Sequence, residues 1–485
     1  FLLMKSCVFP FQSKFIKEQD SRFVSLLPFI GTISVAIFMD QIGMNVALPS
    51  IASEFKQSPA ITQWTNTIFL LSQASLSIPL AKVSVRVGEI RTMILFTTLY
   101  ICLQICSTFI TNLWLFCAAR FVVGALSCTL LNVRLMLLRK MAPPAKTQQF
   151  LQLNAIAVET ICVIIPLTNG FVIDFNWRLI FVISSSFALL NMFCALQFPL
   201  LQKKKTEITF DYWGLITLFL GVGSLDLSFT MLSAKNFVGF GVLLPTAIIF
   251  IILFLQIERK HKDPVLPLKL MKNPLADLCI GYMFQVFSGK IVGYLLPQLF
   301  DFYGQKAATY GLVQTLRFLM DISGSVLLPF LQKKFVNKNI LVVCFVMEAV
   351  TLLLCLLLMK VTIAFLVVYL FFGLFEEINS LLILQMLFLA APKQYVSQLS
   401  SIPITTRSLT QGLALCFVTL IMQSLYDFDK PKNLDKFIAA CRINFIVCVV
   451  FLLVGLVVVI FRIGQSSDEQ NKKGFRQAKV RELKL

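Results

Sequence analysis

Long apolar runs separated by short polar joints repeat along this chain from near residue 26 to residue 462. The runs are close to 20 residues long and lack the strict alternation of barrel strands, so each predicts a membrane-spanning helix. They fall at 26–48, 62–81, 93–111, 114–137, 150–173, 179–200, 212–232, 237–257, 275–299, 308–331, 340–359, 362–390, 399–425 and 438–462. Helix-breaking or charged joints separate them, among them Pro143-Pro144, Lys203-Lys204-Lys205, Asp263-Pro264, Asn273-Pro274, Ala391-Pro392 and Lys430-Pro431. The pattern therefore predicts an all-α membrane protein of fourteen transmembrane helices. Within lipid a helix satisfies its own backbone hydrogen bonds, which an open strand does not.

Composition agrees with this reading. Apolar residues make up 58% and charged residues 14% of the 485, and the mean hydropathy is +0.83. A soluble protein of this size would need more polar surface to cover its core. The charge fixes an expected orientation. With the N-terminus inside, 28 of the 43 Lys and Arg lie in the tails and inner joints, eight in the outer joints and seven within spans. That asymmetry places both termini in the cytoplasm of an inner-membrane protein. It also accounts for the net charge of +19, and because the cations are scattered through short joints, nucleic acid is not an expected partner. The basic tail around Lys472, Lys473, Arg476 and Lys479 suits anionic lipid headgroups instead.

The chemistry available is narrow. Thirteen cysteines lie almost all singly within spans, with no CxxC spacing, and the chain has one histidine, His261. No metal or catalytic constellation is expected, hence no enzyme and no cofactor. An ATP-binding motif is absent, which excludes a primary pump; energy from a proton gradient would have to act through carboxylates.

Short motifs at the span ends carry the specific signal. The first span closes with Asp40-Gln41-Ile42-Gly43-Met44-Asn45-Val46-Ala47-Leu48-Pro49-Ser50-Ile51, followed by Gln63-Trp64. Next come Ser77-Ile78-Pro79-Leu80-Ala81-Lys82-Val83-Ser84-Val85-Arg86-Val87-Gly88-Glu89 and Arg120-Phe121-Val122-Val123-Gly124. Pro166, Gly170 and Asn176-Trp177-Arg178 end the N-terminal set, and Trp213-Gly214-Leu215, Asp263-Pro264-Val265-Leu266 and Leu296-Pro297-Gln298-Leu299 extend it. In this order the run resembles the EmrB-type drug:proton antiporters, the fourteen-span branch of the major facilitator superfamily, over roughly residues 30 to 460.

The resemblance implies a cytoplasmic tail (1–25), an N-terminal six-helix bundle (26–200), an inserted helix pair (201–262), a C-terminal six-helix bundle (263–462) and a basic cytoplasmic tail (463–485). It implies a substrate path between the bundles that opens to each side in turn. It assigns Lys82, Arg86, Gly88 and Arg91 to a gating loop between spans 2 and 3, and Gly124, Pro166 and Gly170 to helix packing. It also implies a periplasmic adaptor and an outer-membrane channel as partners. The chain departs from the family pattern at Ala81, Val85, Val123, Ile165 and Asn169. The last two replace glycines associated with antiport, so the departures touch coupling more than fold.

Ionisable residues inside spans are the candidates for mechanism, since each costs roughly 2.5–3.5 kcal/mol at a helix centre. Asp40 and Arg120 lie at comparable depth, and the resemblance places them in the N-bundle cavity. There Asp40 would accept a proton or a cationic substrate, with Arg120 tuning it; a static ion pair is the alternative. Glu159, close to mid-membrane, suits a reversible proton carrier or a neutral structural acid. Glu376 and Glu377 are adjacent and about 100° apart, so one is expected to face a given cavity, and Glu376 is favoured. Arg317 and Asp321 share a helix face and are expected to neutralise each other, with Arg317 also able to hold an anionic group. The expected function is proton-coupled export of hydrophobic or cationic compounds. A facilitator or symporter of a natural metabolite and a non-transporting degenerate paralogue remain as alternatives.

Overall fold

The computed structural model describes residues 21–57, 59–141, 147–196, 211–233, 235–261, 275–305, 307–359, 363–390, 396–426 and 434–462. The N-terminal tail to residue 20, the basic tail 463–485 and the six joints named above lie outside these residues.

Sixteen helices and no strand occur among the described residues. They are α1 (Ser21–Phe55), the one-turn α2 (Pro59–Thr62), α3 (Trp64–Val87), α4 (Glu89–Ser107), α5 (Leu113–Met141), α6 (Thr147–Cys162), α7 (Ile165–Asn176) and α8 (Leu179–Leu196). There follow α9 (Tyr212–Ser233), α10 (Phe237–Lys260), α11 (Leu275–Phe302), α12 (Ala307–Lys334), α13 (Asn337–Leu357), α14 (Ile363–Ala390), α15 (Val396–Leu425) and α16 (Leu434–Arg462). Thirteen stretches are long and apolar enough to cross a membrane, and Leu179–Ala195 is a shorter apolar helix at the sixth predicted position. Together they match the fourteen runs read from the sequence.

The fifth crossing differs from expectation in being two helices. Pro166 supplies no N–H and its ring crowds the carbonyl one turn back, so the ladder is disturbed at Val163 and Ile164 and restarts as α7.

Two six-helix bundles emerge from the packing. In the first, α1 packs on α5, α6, α7 and α8, while α5 packs on α3 and α4. In the second, α11 packs on α14, α15 and α16, and α13 on α14 and α16. The bundles meet crosswise. The second crossing of the first bundle, α3, lies on the fifth of the other, α15; α12, the second crossing of the other bundle, lies on α6 and α7. The inserted pair α9–α10 attaches through α9, which touches both α3 and α15. The phenylalanines serve mainly as packing, as in the stacked Phe287–Phe451 and Phe302–Phe437 pairs, with ring centroids 4.2 and 4.3 Å apart.

Lipid gives helices no hydrophobic incentive to associate, so close backbone approach has to hold them. A Cβ at Gly124 would fall 2.5 Å from the Phe69 carbonyl oxygen, locking α5 onto α3. On α12, a Cβ at Gly311 would fall 2.7 Å from the Pro166 carbonyl oxygen. Asn169, which stands at one of the lost glycine positions, is met by Gly43 of α1, where a Cβ would come within 3.2 Å of its Nδ2. The small residue has moved to the facing helix.

Gly124→Ala should force α3 and α5 apart and cost about 1–3 kcal/mol, seen as a lower melting temperature in detergent. Gly241→Ala, where a Cβ meets nothing within 4 Å, should melt like the parent protein. Equal melting of the two variants would contradict the close-approach argument.

Candidate functional site

Two buried arginines on α5 organise the first bundle. Arg120 Nη1 donates to Asp40 Oδ2 at 2.6 Å and Oδ1 at 2.8 Å, and its guanidinium carbon lies 4.3 Å from the Phe69 ring centroid. The side chains are 1% and 0% exposed. Arg134 follows fourteen residues later, nearly four turns, so it shares that face of α5 and also reaches α1, donating to Ser34 Oγ.

A cavity of about 90 Å³ lies between the bundles, and Arg134 borders it while Asp40 and Arg120 do not. The resemblance placed the pair in the N-bundle cavity, and within the first bundle it forms a buried ion pair. The pair is enclosed within the first bundle because tight α3–α5 packing at Gly124 closes over it. Arg407 of α15, 5.7 Å from the Phe38 ring centroid, borders the same cavity from the second bundle. Gln73 Oε1 accepts from Gln41 Nε2 at 3.3 Å and from Ser408 Oγ at 3.1 Å, joining both bundles, while Gln73 Nε2 has no acceptor. No carboxylate borders this cavity.

The acids gather instead where α6 meets α12 and α14. Arg317 pairs with Glu376, not with Asp321 as its helical spacing suggested. Glycine makes the room: a Cβ at Gly373 would fall 2.9 Å from Arg317 Cγ, and one at Gly289 would overlap the Glu376 carboxylate. Asp321 keeps an Oδ1 without a donor. Glu377, the acid not favoured from sequence, turns the other way. Ser325 Oγ lies 3.3 Å from its Oε1 and 3.4 Å from Glu159 Oε2. Adjacent residues about 100° apart thus serve two different partners, and neither borders the cavity.

Other intramembrane acids are placed as follows. Glu348 accepts from Asn379 Nδ2 at 2.6 Å. Asp226 of α9 is fully buried against Gly412 of α15, and neither carboxylate oxygen has a hydrogen-bond partner.

At the loop between α3 and α4 the chain turns on one residue, Gly88, whose φ of 102° strains any side-chain-bearing residue. Its N–H donates to Ser84 O at 2.9 Å, and its carbonyl accepts from Thr92 N at 2.9 Å. Lys82 is buried one turn before, and Arg86 and Arg91 are exposed on either side of the turn. At the other end of the molecule, Trp177 Nε1 donates to Glu54, and Arg178 Nη2 donates to Glu54 Oε1 at 2.7 Å and to Ile110 O at 2.9 Å. Burial alone would push the Glu54 carboxyl up, but the Arg178 and Trp177 hydrogen bonds outweigh it and hold the group below the usual carboxylate range.

Sequence reasoning left Arg134, Gln73 and the Glu159–Glu377 contact unplaced. Arg134 had a usable signal, a second arginine on one face of one span. The glutamine and the inter-helix contact had none, since both depend on how the bundles dock.

The Major Facilitator Superfamily model matches residues 30–261 and 278–484. The multidrug export protein EmrB of Escherichia coli (strain K12) is 27% identical over 334 residues, covering 66% of this chain and 64% of that protein. The drug efflux pump JefA of Mycobacterium tuberculosis is 25% identical over 52% of this chain and 51% of its own length. The aligned stretch thus spans under two thirds of these relatives. Among solved structures, the human organic anion transporter MFSD10 aligns with a TM-score of 0.64 at 11% identity, covering 92% of this chain and all of that one. The proton:xylose symporter XylE aligns at 0.59 and 13% identity, over 89% of this chain and 94% of its own. At these identities the structures establish the fold. The resemblance drawn from the motifs is borne out.

Asp40→Asn leaves the Arg120 guanidinium buried without a counter-charge and should cost about 3–5 kcal/mol, with Arg120→Gln added in the same chain recovering part of the loss. Melting in detergent decides it; a single variant as stable as the parent would refute the pairing. Because the Glu54 carboxyl is lowered, its contribution holds at neutral pH and is lost as pH falls through its folded-state value. Glu54→Gln should therefore melt lower than the parent at pH 7, and the gap should close in acid.

Proposed function

We propose that this chain, which belongs to the major facilitator superfamily, is a proton-coupled secondary transporter that exports hydrophobic compounds by alternating access. One observation carries the reading. The two bundles meet along a pair of crosswise seams, each bridged toward both ends, around an interior cavity.

Along the first seam, Gln63 Nε2 donates to Thr419 Oγ1 at 2.9 Å near one end, and Ser77 Oγ to the Ser401 carbonyl at 3.4 Å toward the other. Along the second, Gln152 Nε2 donates to Gln332 Oε1 at 3.0 Å, and Gly311 lies under Pro166 at the opposite end. The hydrogen bonds among these contacts are easily exchanged, which suits two rigid bodies rocking about a central site. Ligand pockets for drug-sized molecules run to about 300–1,000 Å³. At about 90 Å³ the present cavity is too small for such cargo, which enters when one seam opens.

The lining favours one kind of cargo. Arg134, Arg407 and the unpartnered Gln73 Nε2 are donors, and no carboxylate faces them. A hydrophobic compound with an anionic or acceptor group fits better than the cation allowed by sequence alone. Export by the EmrB and JefA relatives supports the direction. In this reading Asp40 and Arg120 brace the first bundle. Glu159 belongs to the coupling centre, beside the Arg317–Glu376 pair, and the Gly88 turn with Lys82, Arg86 and Arg91 latches the cytoplasmic side. Both termini are cytoplasmic in an inner membrane, the basic tail lies on lipid headgroups, and an adaptor with an outer-membrane channel completes the export path.

The test is transport in proteoliposomes under an imposed pH gradient, comparing a hydrophobic sulfonate with a hydrophobic quaternary ammonium. Gradient-driven accumulation of the sulfonate, abolished by an uncoupler and lost in Arg407→Gln, is expected. Equilibration insensitive to the uncoupler would favour a facilitator, and no movement of either compound would overturn the transporter reading.

A further inference from the structure

Where α6 of the first bundle meets α12 and α14 of the second, two acids face each other across the seam. Ser325 Oγ lies 3.4 Å from Glu159 Oε2 and 3.3 Å from Glu377 Oε1, so the two carboxyl groups converge on one hydroxyl. A carboxyl–carboxyl hydrogen bond requires a proton, because two carboxylates have only acceptors to offer. The serine cannot substitute, since its single hydroxyl proton serves one oxygen at a time.

Among the described residues no cation forms an ion pair with Glu159 or Glu377, and Arg407 reaches Glu377 only electrostatically. From α12, Arg317 is engaged by Glu376, and Asp321 adds a further acid, 7% exposed, with an Oδ1 that has no donor. Asp321 is one helical turn from Ser325 and so shares its face. From α14 comes Glu376, already paired. From α11, Lys290 and Tyr282 stand within electrostatic range, Lys290 of Glu376 and Asp321 and Tyr282 of Glu377. From α15 comes Arg407, which lies over Phe38 at the cavity, and from α5 Arg134, which is bonded to Ser34. On α6 itself Cys162 is the nearest titratable neighbour. Glu159 and Glu377 both keep part of their surface uncovered, which leaves a route for proton exchange.

We propose that Glu159 and Glu377 hold one proton in common between the two bundles, and that this shared proton docks α6 against α12 and α14. The inference rests on the proton-coupled reading above and gives it a residue pair. With the proton bound, the seam is joined by a hydrogen bond; without it, two like charges face each other and the seam parts. The proton leaves to the water that enters as the bundles separate, and returns before they close. Coupling then needs no carboxylate in the cargo cavity, which agrees with a lining of donors.

The experiment is pH-difference infrared spectroscopy on the purified full chain, with the seam distance read by a spin label on each bundle. The parent protein should show a protonated carboxyl band that titrates together with the seam distance. Glu159→Gln and Glu377→Gln should each remove that same band and leave the seam closed at every pH, because an amide supplies the bridging proton permanently. Asp226→Asn should leave both readouts unchanged. Loss of the band in one glutamine variant only, or a distance that still follows pH in both, would overturn the shared proton. Transport in the same samples separates the two claims. Intact uncoupler-sensitive transport in both glutamine variants would overturn the latch and leave the exporter standing, whereas a titrating band in a parent protein that moves neither test compound would overturn the exporter alone.

Discussion

An ionised group inside a membrane-crossing bundle is tolerated only where a partner and the space for it arrive together. That constraint arranges most of this structure. Asp40 is held by Arg120 within the first bundle, with the Phe69 ring covering the guanidinium. Arg317 crosses to Glu376 because Gly373 and Gly289 leave room for both side chains. Glu159 and Glu377 form no ion pair and meet instead at the Ser325 hydroxyl. The polar groups of the interior therefore divide into settled pairs and groups that respond to their surroundings.

The same logic separates the cavity between the bundles from the cluster of acids. The cavity is lined by donors from both bundles, and the carboxylates collect one helix layer away at the second seam. α6 ends one turn beyond Glu159, at the break imposed by Pro166, so the acid sits beside the least regular point of the fifth crossing. α7 continues against Gly311 and Gly43, which restore the close approach that glycines within the crossing would have provided. Loss of the motif glycines at Ile165 and Asn169 has thus changed which helix carries the small residue, while the packing persists.

The inserted pair has a simpler physical standing. α10 packs on α9 and has few fully buried residues, whereas α9 lies on α3 and α15 together. A helix resting on both bundles at one seam ties them together there, and its fully buried Asp226 lies at that contact.

Much of the fold was legible in the sequence. Length and hydropathy of the runs set the number of crossings, because a helix spans lipid only when long and apolar enough, and this depends on local composition alone. Gly88 was legible for a similar reason, as one turn demands a φ that glycine reaches freely. Charges within spans flagged Asp40, Arg120, Glu159, Arg317 and Glu376 as candidates, since burying a charge is costly wherever it lies. Pairing was decided only by the tertiary structure. Helical spacing offered Asp321 to Arg317, but the room left by Gly373 and Gly289 directed the guanidinium to Glu376; crosswise docking of the bundles brought Glu159 to Glu377 and set Arg134 and Arg407 on one cavity. Partners that lie on different helices are chosen by shape and distance in three dimensions, and neither is written along the chain.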